Sequence, residues 1–156
     1  MNKDQLLRML DAFLSQSGLY HHEALPDDLL SLLRKSGIEA EFLNEFVKMQ
    51  SQYNALGRAQ AEQLRQYERI DDRLYSLHID KGRKFNIRIL YAYHSVTGQR
   101  ILLHAFWERR SRDYESAIAV AYARSMIWRR THYEIHQRLE RPSRHAHRRY
   151  SGRRTG

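Results

Sequence analysis

The sequence predicts an α+β fold, with N-terminal helices, a small antiparallel β-meander, and a long C-terminal helix leading into a basic disordered tail. Apolar residues recur at helical spacing up to about residue 68. They then alternate with polar residues over positions 73–108, and helical spacing returns after Asp113. Helices on either side of a run of adjacent strands are typical of small α+β domains.

Three helices are predicted in the first 57 residues. Asn2 can cap the first and Gly18 can end it. Pro26 suits the first turn of the second helix, and Gly37 should stop it. The third should end near Gly57. The inward residues of the three helices are Leu6, Leu7, Leu10, Phe13 and Leu14; Leu29, Leu30, Leu32 and Leu33; and Phe42, Leu43, Phe46, Val47 and Met49.

A polar stretch over residues 58–68 is expected to form a fourth helix, with Ala61 and Leu64 facing inward. No strand is evident before or among these helices.

Three strands are predicted at residues 73–80, 84–94 and 100–108, because apolar and polar side chains alternate along them. Short turns at residues 81–83 and 96–98, each with a glycine, should join them into an antiparallel meander. One face of this sheet should be covered by helices, while the other can stay polar and open.

The last helix is expected to start at Asp113, a suitable cap with Ser116 three residues later, and Pro142 should end it. The following residues are rich in Arg and His without apolar periodicity, which favours a disordered tail. The inward stripe of the helix is Ile118, Ala121, Ser125, Trp128, His132, Ile135 and Leu139. The predicted divisions are a helical extension (1–36), an α+β domain (37–141) and the tail (142–156).

Charge is distributed unevenly along the chain, whose formal net charge is +9. Residues 1–72 hold 8 basic and 12 acidic side chains, residues 73–123 hold 9 and 4, and residues 124–156 hold 10 and 2. Arg dominates the excess, and its planar fork grips phosphate with two hydrogen bonds. The basic back half indicates a polyanionic partner, most simply RNA, with a merely solvated basic surface as the alternative.

The absence of cysteine excludes disulfides, cysteine nucleophiles and thiolate metal sites. No apolar run approaches the roughly 18 residues of a membrane span, and the acid-containing N-terminus does not resemble a secretion signal. His21, His22 and Glu23 are adjacent and do not share a helix face, so no metal site is expected there. His104 is expected to be structural. We therefore expect a cytoplasmic protein with no cofactor, no metal ion and no membrane association.

Candidate catalytic residues lie on the strands and at the start of the last helix. Cleaving RNA without a metal needs a base for the 2′-hydroxyl, cations for the phosphate and an acid for the 5′-oxygen. His78 can move protons near neutral pH, Arg88 and Arg109 can hold phosphate, and Tyr114 can stack on a base or exchange a proton. His78 could instead be an ordinary strand residue, and Arg88 could pair with Asp80. The RNA-binding candidates are Lys81, Arg83, Lys84, Arg110 and Arg112.

Five short segments occur in order within residues 70–124. They are Leu74-Tyr75-Ser76-Leu77-His78, Arg88-Ile89-Leu90-Tyr91, Leu102-Leu103-His104-Ala105-Phe106, Arg109-Arg110 and Asp113-Tyr114-Glu115-Ser116-Ala117. Together they resemble the core of the RelE/ParE toxin superfamily, most of all its HigB-type, phage-derived branch. The resemblance implies a RelE-like fold and the toxin of a toxin–antitoxin system, a ribosome-dependent mRNA endonuclease. Its partner would be a cognate antitoxin, often a helix-turn-helix protein.

The resemblance also implies a role for each matching residue. Arg88 would bind the scissile phosphate and Arg109 would act in the transition state. Tyr114 would stack on the base or transfer a proton, and His78 would be an acid or a base.

Two positions depart from the family, since Ser76 and Glu108 stand where members often carry basic residues. The superfamily also includes gyrase poisons and inactive members. The second hypothesis is therefore a non-catalytic binding protein on the same scaffold, which would bind nucleic acid or a gyrase-like partner.

Overall fold

The computed structural model describes residues 2–16 and 19–140, with side chains for residues 2–15 and 19–126. The helices are α1 (Lys3–Gln16), α2 (Leu25–Leu33), α3 (Glu39–Leu56), α4 (Arg58–Ala61) and α5 (Arg112–Glu140). The strands are β1 (Tyr20–His21), β2 (Tyr67–Arg69), β3 (Tyr75–Lys81), β4 (Phe85–Tyr93) and β5 (Arg100–Trp107). This arrangement confirms the predicted α+β class.

Helix α1 begins with the predicted cap. The Asn2 side chain accepts a hydrogen bond from the Gln5 amide at 2.8 Å, and the Gln5 side chain accepts one from the Asn2 amide at 3.1 Å. This reciprocal pair satisfies two amides that the first helical turn leaves without partners. Gly18, the predicted end, lies outside the described residues.

Helix α2 stops four residues before the predicted Gly37. The Ser36 hydroxyl donates to the Leu33 carbonyl at 2.5 Å, and Lys35 adopts a φ of 61°. Together they turn the chain out of the helix. Helix α3 ends as predicted, with Gly57 at a φ of 82°, a conformation that costs glycine little.

The predicted fourth helix over residues 58–68 is mostly wrong, because only Arg58–Ala61 is helical. Tyr67–Arg69 instead forms β2, which pairs antiparallel with β3 and buries the Tyr67 side chain. Ala61 and Leu64 are a weak helical signal in a mostly polar stretch, and pairing with the edge of β3 decides the structure of its last residues.

The predicted meander of β3, β4 and β5 is confirmed, and two strands that the sequence did not reveal extend it. The order is β1-β5-β4-β3-β2. Strand β1 lies parallel to β5, with Tyr20 opposite Ile101, while the other three pairs are antiparallel. A strand of two residues is too short to show alternation.

Both faces of the sheet pack against helices, so the prediction of one polar, open face is wrong in part. The first core joins α1, α2 and α3 to one face and includes Leu6, Leu10 and Leu14 of the predicted extension. The second core lies under α5, where Leu90, Leu103, Phe106, Ala117 and Ala121 are buried.

Helix α5 crosses this second face and is tied to α2 and β5. Asp28 of α2 accepts from Arg124 Nη1 at 2.5 Å and lies 2.9 Å from His104 Nδ1, and Arg124 also donates to the Leu103 carbonyl at 2.9 Å. His104 therefore has the structural role expected of it. The side chains of the stripe from Trp128 onward, together with Pro142 and the tail, lie outside the described residues.

No helix within the described part of the chain is long and apolar enough to cross a membrane.

Candidate functional site

The second face of the sheet carries a row of polar side chains beside the start of α5. Strand pairing places Glu68 opposite Ser76, and His78 opposite Arg88. Arg88 is in turn opposite Phe106, whose ring packs edge-on against Tyr114 at 5.0 Å between centroids. Since directly opposed residues share a face, β2, β3, β4 and α5 all contribute to one surface.

Four of these residues form one hydrogen-bonded group, which we call the His78 cluster: Glu68, Ser76, His78 and Tyr114. The Tyr114 hydroxyl lies 3.1 Å from His78 Nε2 and 3.0 Å from Ser76 Oγ. Glu68 Oε1 lies 3.0 Å from His78 Nε2 and 3.3 Å from the Tyr114 hydroxyl. An acid, an imidazole and a phenol within one group can pass protons among themselves.

Tyr114 reaches the cluster because of the bend between β5 and α5. Asp113 Oδ2 accepts the backbone amides of Arg109 and Arg110 at 2.9 and 2.8 Å, which holds the bend closed. The prediction paired Asp113 with Ser116 at the helix start, but its carboxylate turns back toward the preceding loop instead.

The surroundings set the protonation states of the cluster. Burial and the nearby Arg88 charge lower the pKa of His78 below its ordinary 6.5, although Glu68 opposes them. His78 is therefore neutral at pH 7 and can accept a proton. Burial raises the pKa of Tyr114 to about 12, so its phenol is protonated at the same pH and can donate.

Arg88 lies beside the cluster but is already engaged by acids. It is 8% exposed, its Nη2 donates to Glu108 Oε1 at 3.2 Å, and its Nη1 lies 3.7 Å from Asp80 Oδ2. Its Nε and Nη1 are buried without a hydrogen-bond acceptor among the described residues. Two donors of the guanidinium therefore have no acceptor within the described part of the chain, but both are buried. A phosphate would have to displace Glu108 or Asp80 to bind Arg88.

No protein-family model matches the chain. No curated protein or solved structure matches it significantly either. The resemblance to the RelE/ParE superfamily therefore stays a prediction.

Arg109 is not brought to the other predicted catalytic residues. Its guanidinium lies over the Trp107 ring at 4.6 Å from the centroid. Trp107 is opposite Ile87, whose side chain is in the first core, whereas Arg88 and His78 belong to the other face. The structure gathers His78, Arg88 and Tyr114, and it places Arg109 beside a residue of the opposite face.

The predicted RNA-binding residues divide into two groups. Lys81, the last residue of β3, and Lys84 of the following turn both lie near Glu41 of α3, at 3.6 and 3.3 Å. Their charge is partly offset, and they lie away from the His78 cluster. The other three side chains are exposed and bridge to no acid among the described residues: Arg83, Arg110 and Arg112.

Sequence reasoning named Asp80 as a possible partner of Arg88, and the structure places the two 3.7 Å apart, but it missed the other two acids of this site. Glu68 was assigned to a helix, so its position next to His78 could not be foreseen. Glu108 was noted only as an interruption of a basic run, although its place one residue after β5 put it near Asn86 and Arg88. Within the described residues, no three potential metal ligands are grouped.

Proposed function

We propose that this chain is an endoribonuclease that cleaves RNA through proton transfer by His78 and Tyr114, with Arg88 on the scissile phosphate. The observation that carries the proposal is the contact of 3.1 Å between His78 Nε2 and the Tyr114 hydroxyl, next to Arg88 on the same face. A neutral imidazole, a protonated phenol and a cation are the parts that RNA transesterification needs.

The proposed reaction uses each group once. Neutral His78 removes the proton of the 2′-hydroxyl, whose oxygen attacks the phosphorus. The bond from phosphorus to the 5′-oxygen breaks, and Tyr114 gives that oxygen its proton. The products are a 2′,3′-cyclic phosphate and a 5′-hydroxyl. A proton passed from His78 to the Tyr114 phenolate then restores both groups.

Arg88 stabilises the added negative charge on the phosphate in this scheme. Because Glu108 and Asp80 hold it in the free protein, the incoming phosphate has to displace at least one carboxylate. A substrate presented in a fixed position would meet that cost more easily than free RNA. Translated mRNA on the ribosome, the substrate that the RelE/ParE resemblance suggests, would be held in such a fixed position.

The role as a toxin restrained by a helix-turn-helix antitoxin belongs to the same proposal and rests on the resemblance alone. The second candidate is a non-catalytic protein that binds nucleic acid or a protein such as gyrase. It is favoured by the two acids on Arg88 and by the position of Arg109 away from the cluster.

The proposal is tested by induced expression in bacteria, with the 5′ ends of cellular mRNA mapped before and after induction. The variants are His78→Gln and Tyr114→Phe. Tyr122→Phe is the matched control, since it removes the same hydroxyl from the same helix at a position beside Arg73. Loss of a proton-transfer group should slow cleavage by about 10²-fold or more.

New ends inside translated frames for the wild type and Tyr122→Phe, but not for Tyr114→Phe, would support the ribosome-dependent nuclease. Cuts in untranslated RNA as well would support a nuclease that does not need the ribosome. Growth arrest without new ends would reject cleavage and favour the binding protein.

A further inference from the structure

Arg100, the first residue of β5, is a buried cation without an ion-pair partner among the described residues. It is 4% exposed, and no described carboxylate lies within 4.0 Å of its guanidinium. Burying a charge is costly unless a counter-ion or several hydrogen bonds compensate it. The environment of Arg100 therefore calls for an anion.

The contacts of Arg100 are neutral. Its guanidinium lies over the Tyr53 ring at 3.6 Å and near the Tyr91 ring at 5.6 Å, and it donates to the Gln50 side-chain oxygen. It also acts on the buried Tyr67 hydroxyl, and this interaction opposes the rise in the pKa of Tyr67 that burial causes. Glu62, the acid near these tyrosines, pairs instead with Arg58 at 3.0 Å. It accepts from the hydroxyls of Tyr91 and Tyr93 at 3.2 and 3.0 Å.

A cavity of about 210 Å³, lined in part by Arg100, lies between α3 and the β4–β5 turn. Its lining includes Gln50, Tyr53, Asn54, Gly98 and Gln99 together with Arg100. Three of these are side-chain amides, which can donate hydrogen bonds to oxygen atoms. The volume accommodates a carboxylate or a phosphate with a small organic group.

We propose that this cavity is a binding site for a small oxyanion, a carboxylate or a phosphate monoester, which pairs with Arg100. The site is independent of the proposed RNA cleavage. Arg100 is opposite Tyr93 at the far end of β4 from Arg88, and its stacking partners belong to the first face of the sheet.

The test measures thermal unfolding of the full chain in sodium phosphate, sodium acetate and sodium chloride at equal ionic strength. At about tenfold above the dissociation constant, a bound anion should raise Tm by about 3 °C. A saturable rise in phosphate alone identifies a phosphate site, and one in acetate alone a carboxylate site. Phosphate also stabilises proteins by exclusion from their surface, so a matched pair of variants isolates the specific part.

Gln99→Glu places a carboxylate at the exposed rim of the cavity, whereas Gln60→Glu adds the same charge on α4, outside it. We expect Gln99→Glu to raise Tm without added anion and to abolish the saturable response. Gln60→Glu should leave both unchanged. Equal behaviour of the two variants, or a response that persists in Gln99→Glu, would overturn the proposal and make Arg100 a structural residue only.

Discussion

Arg88 Nη2 donates a hydrogen bond to Glu108 Oε1 across 3.2 Å, and both side chains are largely buried at the sheet face. Arg88 is the cation that the proposed cleavage places on the phosphate. The same contact that neutralises the buried guanidinium therefore competes with the substrate.

Glu108→Gln should strengthen RNA binding, since it removes the competing charge and keeps the shape of the side chain. We expect an increase in affinity of about two- to fivefold, measured with a short single-stranded RNA at low salt. Glu115→Gln is the control, because it removes one exposed carboxylate from α5. Equal gains for both variants would mean that only net charge matters.

The proposed cleavage should lose activity as the solution becomes acidic. His78 has a lowered pKa, so the imidazole stays neutral down through pH 6.5 and is protonated only below that value. The rate should be flat near neutral pH and fall at lower pH, while Tyr114, with a pKa of about 12, stays protonated throughout.

Glu68 opposes this shift, so Glu68→Gln should lower the pKa of His78 further and move the acidic limb to lower pH. An NMR titration of the His78 imidazole checks this directly and needs no activity. The lowered pKa of His78 also makes the folded protein less stable at acidic pH. Since the unfolded chain binds the proton more readily, the His78 contribution is complete above pH 6.5 and is lost as the pH falls below it.

Asp28→Asn should destabilise the fold by about 2 kcal/mol, since it breaks a partly buried ion pair and leaves Arg124 without its acid. Burial alone would raise the pKa of Asp28, but the hydrogen bonds from His104 and Arg124 outweigh it and lower the pKa. Urea unfolding measures the change. Asp27→Asn alters the exposed neighbour by the same chemistry and should be nearly neutral.

Leu10→Ala should cost about 2–5 kcal/mol, because Leu10 is 0% exposed in the first core. Met9→Ala, on the exposed side of α1, should change the free energy of unfolding by less than about 0.5 kcal/mol. The comparison shows whether residues 1–36 fold as part of the domain. A small effect of Leu10→Ala would mean that α1 is a separable extension.

Arg109→Ala should reduce the proposed cleavage by less than threefold, as the side chain contacts Trp107 rather than the His78 cluster. Arg88→Ala should abolish it, and Arg88→Lys tests whether charge alone suffices. A loss with Arg109→Ala as large as that with Arg88→Ala would support the role that the family resemblance implies and would require the bend between β5 and α5 to move.

The sequence alone determined the fold class, the three helices α1 to α3 and the order of the three strands of the meander, since each depends on apolar periodicity or on glycine turns within a few residues. It also identified His78, Arg88 and Tyr114 as candidates. It did not determine the strand register, which shifts between Leu90 and Tyr91. It missed β1 and β2 because strands of two and three residues are too short to show an apolar alternation. These strands form by pairing with the edges of β5 and β3.

Only the tertiary structure decided what surrounds the candidate residues. Glu68 joins His78 because β2 pairs with β3 in one particular register, and Glu108 engages Arg88 because β5 ends beside Asn86. Both contacts join residues 10 to 20 positions apart, and no local pattern encodes them. The sequence gives the chemical type of each side chain. Its pKa and its access to a substrate depend on burial and on the charges that folding brings near it.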